Sequence, residues 1–319
     1  MELTEKQKLR KQKMKRLKSS WPLLFFALPG FIWLIIFYYI PVFGNVVAFK
    51  KFQFSDDGGF FSSIFNSQWV GFKNFEFLFS SRNAYIITRN TVLYNLFFIF
   101  VGLIIAVSFA IILSQMRNRF LVKTIQTSML LPYFLSWVIV SFFVSSFISV
   151  DKGLIPNLIR ESGGVAKNWY VTPGIWPPLL IFLGIWKGIG YSSIIYFAAI
   201  VGIDKTYYEA AEVDGATKWQ QIRHVMIPQI VPMMIVLTIL ALGGIFRADF
   251  GLFYQIPRNS GLLYNVTAVL DTHIYNALTA SGDISMATAA GLYQSFVGFI
   301  LLSVSNLIVR KIDPESAVI

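Results

Sequence analysis

Residues 89–117 read RNTVLYNLFFIFVGLIIAVSFAIILSQMR, with no charged side chain between Arg89 and Arg117. Such a run exceeds the roughly 20 apolar residues needed to cross the hydrocarbon core of a bilayer. The bracket recurs along the chain. Lys18 to Lys50, Lys123 to Asp151, Arg223 to Arg247 and Asp283 to Arg310 enclose uncharged runs, and Thr172 to Ile203 is interrupted only by Lys187. Six spans are predicted, at about 22–49, 90–115, 125–150, 174–202, 226–248 and 285–309. The expected fold class is an all-α membrane protein with six transmembrane helices. A lysine in mid-span is costly unless it faces a cavity or a partner, which marks Lys187 for attention.

Composition agrees. Of 319 residues 55% are apolar and only 13% charged, about half the charge of a soluble domain. That balance excludes a disordered chain and argues against a soluble enzyme. The absence of cysteine excludes a disulfide scaffold, a thiolate metal site and a cysteine nucleophile. Net charge is +11, and residues 1–20 supply +6 of it through eight Lys/Arg against Glu2 and Glu5. This tail abuts a span and carries no interleaved aromatics, so it reads as a topology signal drawn to anionic lipid rather than a nucleic-acid patch. The apolar stretch after it is too long for a secretory signal and lacks a clean cleavage site. It is expected to remain as a first helix, loosened by Pro22, Pro29 and Pro41. With the amino terminus inside, segments 1–20, 114–124, 203–224 and 310–319 hold 16 of the 27 basic residues, as the positive-inside rule requires. Both termini are therefore expected in the cytoplasm, with residues 21–319 forming one transmembrane domain.

The segment 204–224 is the least membrane-like part of the second half. Thr206 and Glu209 have capping-box spacing, and Tyr208, Ala211, Gly215, Trp219 and Ile222 fall on one face at helical spacing. Asp214-Gly215 is a turn signal. Two short helices bent at Gly215 are predicted, lying along the membrane surface. The plainer alternative is an interfacial connector with no partner.

Glu209-Ala210-Ala211, Asp214-Gly215-Ala216 and Val225-Met226-Ile227-Pro228 resemble the EAA loop of ATP-binding-cassette importer permeases. Val225 and Ile227 stand where that family usually has Ile and Leu. Trp186-Lys187-Gly188-Ile189-Gly190-Tyr191, Trp69-Val70-Gly71-Phe72-Lys73-Asn74-Phe75, Asn90-Thr91 and Leu131-Pro132 are similar to the carbohydrate-uptake branch of the type I importers, which includes the maltose permeases. Val269 to Tyr275 and Ala289 to Ser295 are similar to its polysaccharide permease subfamily. The resemblance implies a type I importer permease fold with a cytoplasmic coupling helix, in a bacterial cytoplasmic membrane. It also implies a second homologous permease, two ATPase subunits carrying ATP and Mg, an extracytoplasmic solute-binding protein and a glycan cargo. The sequence has no phosphate-binding loop of the Gly-x-x-x-x-Gly-Lys type, so ATP hydrolysis is assigned to a partner and no cofactor to this chain. Glu209, Ala210, Ala211, Asp214, Gly215 and Ala216 are the expected ATPase-coupling residues: small side chains permit close docking, and the acids offer charge-assisted hydrogen bonds. An ion-driven carrier, or an importer of a non-sugar solute, is the alternative.

Sugars are bound by aromatics combined with polar groups in a cleft. Trp186, Lys187 and Tyr191 in the fourth span, and Phe246, Arg247, Asp249, Phe250 and Tyr254 at the outer half of the fifth, are the candidates for a substrate path. The structural alternative is an ion pair of Arg247 with Asp249 or Asp271. His224 and His273 are predicted on opposite sides of the membrane, so no metal site is expected.

Overall fold

The computed structural model describes residues 21–55 and 59–312; the basic tail 1–20 lies outside them. The chain divides into two units, on either side of the Asn74–Phe75 bond.

In the first unit, α1 (Trp21–Leu34) runs into a wide π-helical turn (Ile35–Tyr39) and a further turn, Ile40–Phe43. The amide of Ile40 donates to the carbonyl of Ile35, five residues back. Pro29 and Pro41 each remove a helical donor, which is where this helix is expected to depart from regularity. Phe25–Phe49 is long and apolar enough to span. The unit closes with a two-stranded antiparallel ribbon, β1 (Lys50–Lys51) against β2 (Gln68–Trp69), with Lys50 opposite Trp69. Between the strands lies α2 (Phe60–Asn66). Lys50 Nζ donates to the carbonyls of Ile64 (2.7 Å) and Phe65 (3.2 Å), capping the end of α2 with a cation.

The second unit contains α3 (Arg82–Gln115), α4 (Arg119–Phe134), α5 (Trp137–Ile148), α6 (Leu154–Glu161), α7 (Trp176–Val201), α8 (Lys205–Val213), α9 (Lys218–Gln221), α10 (Ile227–Gly243), α11 (Phe250–Gln255), α12 (Leu270–Thr279) and α13 (Ile284–Ile312). Across both units, the described residues include five helices long and apolar enough to span, or six if α4 and α5 form one bent span.

Boundaries depart from the expected spans in three places, each with a local cause. The second span begins at Arg82, where Ser81 accepts from the amide of Ala84 and caps the helix. The third breaks between α4 and α5 with a 95° bend. The amide of Leu135 folds back to the carbonyl of Pro132, and Ser136 caps α5 by accepting from Ile139. The fifth ends at Gly243 rather than about 248, leaving an irregular stretch before α11. A π-helical turn at Ile222–Met226 joins α9 to α10 without a gap.

Two apolar clusters hold this unit together. One joins α3, α5, α7 and α11 through Tyr94, Val140, Val144, Trp176, Leu180 and Phe253. The other lies toward the α8–α9 end and joins α3, α7 and α10 through Ala106, Ala110, Tyr196, Ile200, Met226 and Ile230. Gly184 lets α7 approach α3, since a Cβ there would stand 2.6 Å from the ring of Phe98. Side chains therefore meet along α7 from both sides.

Candidate functional site

The segment 204–224 folds as two short helices. The N-cap of α8 is Asp204, whose carboxylate accepts from the amide of Thr206 at 2.9 Å. The expected Thr206–Glu209 capping box does not form; an aspartate two residues earlier takes the position. A capping box does form on α9, between Thr217 and Gln220.

Helix α8 ends in a Schellman motif: Ala216 N donates to Ala211 O at 2.9 Å and Gly215 N to Glu212 O at 3.0 Å. Gly215 has φ +76°, the left-handed conformation that side chains disfavour. Across the bend, Glu212 Oε1 pairs with Lys218 Nζ at 2.7 Å, and Lys218 also donates to Gln221. The Lys218 hydrogen bond, followed by that from Gln221, holds the Glu212 carboxyl below its ordinary range. The Thr206 amide does the same for Asp204.

Glu209, Ala210, Asp214 and Gly215 are exposed, while Ala211 and Ala216 are half-buried. Trp219 is 68% exposed and does not share the covered face of Tyr208 and Ile222. The non-helical residues 214–217 between the two helices interrupt the continuous helical register that the sequence spacing assumes. Tyr207, Val213 and Trp219 consequently stand exposed beside the acids.

On α7, two adjoining hollows of about 280 and 400 Å³ share Phe98, Gly102 and Ser192. Lys187, Tyr133, Trp137 and Asp249 line the smaller, and Tyr191, Tyr196 and Thr238 the larger. Lys187 Nζ donates to the carbonyl of Tyr133 at 2.8 Å, at the broken end of α4. It also stands 5.4 Å from the Tyr133 ring centre and 5.3 Å from that of Trp137. A cation at a helix C-terminus meets the negative end of the helix dipole, which explains a lysine inside a span. Trp137 Nε1 donates to Asp249 Oδ2 at 2.7 Å, while Asp249 Oδ1 caps α11 at the amide of Leu252. Tyr191 stacks on Tyr133 with centroids 5.0 Å apart.

Not all the candidates converge. Trp186 faces a separate apolar groove with Val140, Val144 and Phe147. Phe246 meets the ring of Tyr293. Tyr254 forms an aromatic trio with Phe250 and Tyr275. The side chain of Arg247 is exposed. Neither Arg247–Asp249 nor Arg247–Asp271 is an ion pair; among the described residues the salt bridge is Lys218–Glu212.

Tyr133, Trp137 and Asn95 were absent from the sequence candidates. Asn95 donates from Nδ2 to the carbonyls of Ile245 (2.9 Å) and Arg247 (3.0 Å). An amide in the apolar run Leu93–Phe100 is the signal that could have found it. Among the described residues no group of three His, Asp or Glu is placed to hold a metal.

Residues 98–314 match the family described as the binding-protein-dependent transport system inner membrane component. The chain is 33% identical over 310 residues to the polygalacturonan/rhamnogalacturonan transport system permease protein YteP of Bacillus subtilis, covering 97% of this chain and 94% of that one. It is 32% identical to protein LplB of the same organism, over 95% and 92% of the two chains. A solved bacterial ABC transporter involved in import of the acidic polysaccharide alginate has a chain of TM-score 0.83 and 30% identity, covering 95% of this chain and 99% of that one. The chain belongs to the family of binding-protein-dependent transport system inner membrane components: it is a permease subunit, not an enzyme, and acts with a solute-binding protein, a second permease and ATPase subunits.

Proposed function

We propose that this permease carries an oligosaccharide or polysaccharide fragment, and that α8–α9 is the piece its ATPase partners push. The observation that carries the coupling role is the bent pair itself. It is internally capped, latched by Glu212–Lys218, and leaves Glu209, Asp214, Tyr207, Val213 and Trp219 exposed beside the small Ala210 and Gly215. A surface of small, apolar and acidic groups fits a groove with basic walls. Ile222–Met226 joins it directly to α10, so displacement of the pair pulls on a span. Both termini and this segment lie on the cytoplasmic side, where ATP and Mg are held by the partner subunits.

The cargo class rests on the named relatives and on the cleft's chemistry. Lys187 supplies donors, Asp249 acceptors, and Tyr133, Trp137 and Tyr191 flat apolar faces, the combination that sugar hydroxyls and ring faces need. Arg247 adds a positive charge at the same end of α10. Gly215→Pro and Glu209→Lys are expected to keep membrane insertion while ATP hydrolysis no longer drives uptake; normal transport by both would remove the coupling role. A binding screen of the cognate solute-binding protein against glycans, amino acids and phosphate tests the cargo. Selection of anything but a glycan would refute the assignment.

A further inference from the structure

The stretch between Gly243 and Phe250 is irregular backbone at the end of α10 remote from the coupling segment. Non-helical backbone at membrane depth survives only where protein or a water-lined cavity satisfies it. Here side chains from several elements do so. Asn95 on α3 donates to Ile245 O and Arg247 O, and Gln294 on α13 to Phe246 O at 2.7 Å. Asp271 on α12 accepts from Ala248 N at 2.7 Å and from Gln294 Nε2 at 3.2 Å. On the opposite flank, the side-chain bond to α5 is Trp137 Nε1 to Asp249 Oδ2. Gly251 permits it, because a Cβ there would stand 3.0 Å from the Cβ of Trp137.

The two flanks are unequal. Four hydrogen bonds to backbone fix the stretch to α3, α12 and α13, whereas a single hydrogen bond reaches the start of α5 across the wall of the 280 Å³ hollow, where α5 otherwise meets α11 through the apolar side chains of Val140, Val144, Leu252 and Phe253. Both partners of that single bond line the hollow, and both follow a break: α4–α5 for Trp137 and α10–α11 for Asp249. We propose that Trp137–Asp249 is a gate latch that opens during each transport cycle, while residues 245–248 move with α3, α12 and α13 as one body. Asn95, Gln294 and Asp271 are then positioning residues that hold the latch's carboxylate in place. The proposal rests on the transport reading above.

The chain has no cysteine, so engineered cross-links are unambiguous. Trp137→Cys with Gly251→Cys spans the latch. Gly243→Cys with Leu302→Cys spans the fixed flank, where a Cβ at Gly243 would stand 3.1 Å from Leu302 Cβ. Both pairs are close enough to bridge after a small shift. In the assembled transporter, oxidation of the latch pair should abolish whatever uptake the reduced pair retains without the Trp137 ring, reductant should restore that level, and the Gly243/Leu302 bridge should leave uptake unchanged. Uptake through an oxidised latch pair, or equal arrest by both bridges, overturns the proposal.

If the reduced latch pair does not transport, the cross-linking rate decides instead. ATP with vanadate should slow bridging at 137/251 and not at 243/302; equal rates overturn the proposal. Trp137→Phe keeps the ring and removes the donor, and should raise ATP hydrolysis without binding protein roughly tenfold, as expected on losing one charge-assisted hydrogen bond. An unchanged rate counts against the latch. Lack of glycan uptake by the unsubstituted transporter would instead refute the cargo assignment, and the cross-linking rates would still report on the gate.

Discussion

Lys187 shows how one side chain answers several demands. Its ammonium completes the broken end of α4 through Tyr133 O and faces the rings of Tyr133 and Trp137. Lys187→Met keeps the stem's packing but leaves that carbonyl without its donor and removes the cation from the two rings. Uptake is expected to fall at least tenfold while the protein still inserts, checked by transport assay and by its quantity in membranes. Lys187→Arg should retain part of the activity. Lys187 and Asp249 were legible in the sequence because a charge within an apolar run needs a reason. Trp137 and Tyr133 were not, because aromatics are 17% of the chain and only the fold brings two of them to Lys187. Trp186 illustrates the converse: adjacent to Lys187 in sequence, it points about 100° away around the helix and joins an apolar groove.

Among elements, α8–α9 was the most legible, since Asp214-Gly215 specifies a bend and Gly215 adopts it at φ +76°. The cap was misplaced because Asp204 and Thr206 both suit an N-cap and the sequence does not rank them. Gly215→Ala is expected to cost the segment about 1 kcal/mol through the left-handed backbone alone, read as faster amide exchange over 205–221 with the spans unaffected. The same amides have a defined response to pH. The carboxyls of Asp204 and Glu212 are both held below their ordinary range, so each stabilises the fold above the unfolded-state value. That contribution should be complete at neutral pH, decline once pH drops below about 4, and vanish beneath the depressed values. Exchange corrected for its intrinsic pH dependence checks this; protection that rises on acidification would contradict the sign. The α4–α5 break was less legible, because hydropathy registers how apolar a run is and not that it turns 95° at Leu135–Ser136. Pro132 and Ser136 are local hints, but prolines are tolerated inside straight spans too.

For the whole molecule, the charge-free runs coincide with the helices long and apolar enough to cross, five or six in number, while the basic residues carry the expectation of direction. The two kinds of information are physically separate: apolar length decides which segments enter the bilayer, and lysine and arginine decide which ends stay behind. The coupling role needs the second as well as the first, since a segment that meets an ATPase must lie on the side where ATP is. A cysteine-free chain makes that testable with single substitutions. Val213 on α8 and Val165 in the segment between α6 and α7 are 88% and 90% exposed, so each can accept a thiol without disturbing a core. They are separated by one crossing, α7, and must face opposite compartments. In intact cells a membrane-impermeant maleimide is expected to label Val165→Cys and to leave Val213→Cys unmodified until the membrane is opened. The reverse pattern would turn the molecule over and put α8–α9 out of reach of any cytoplasmic ATPase; labelling of both sites in intact cells would mean that α7 does not cross. Either result would defeat the coupling role at its root, whatever the cargo proves to be.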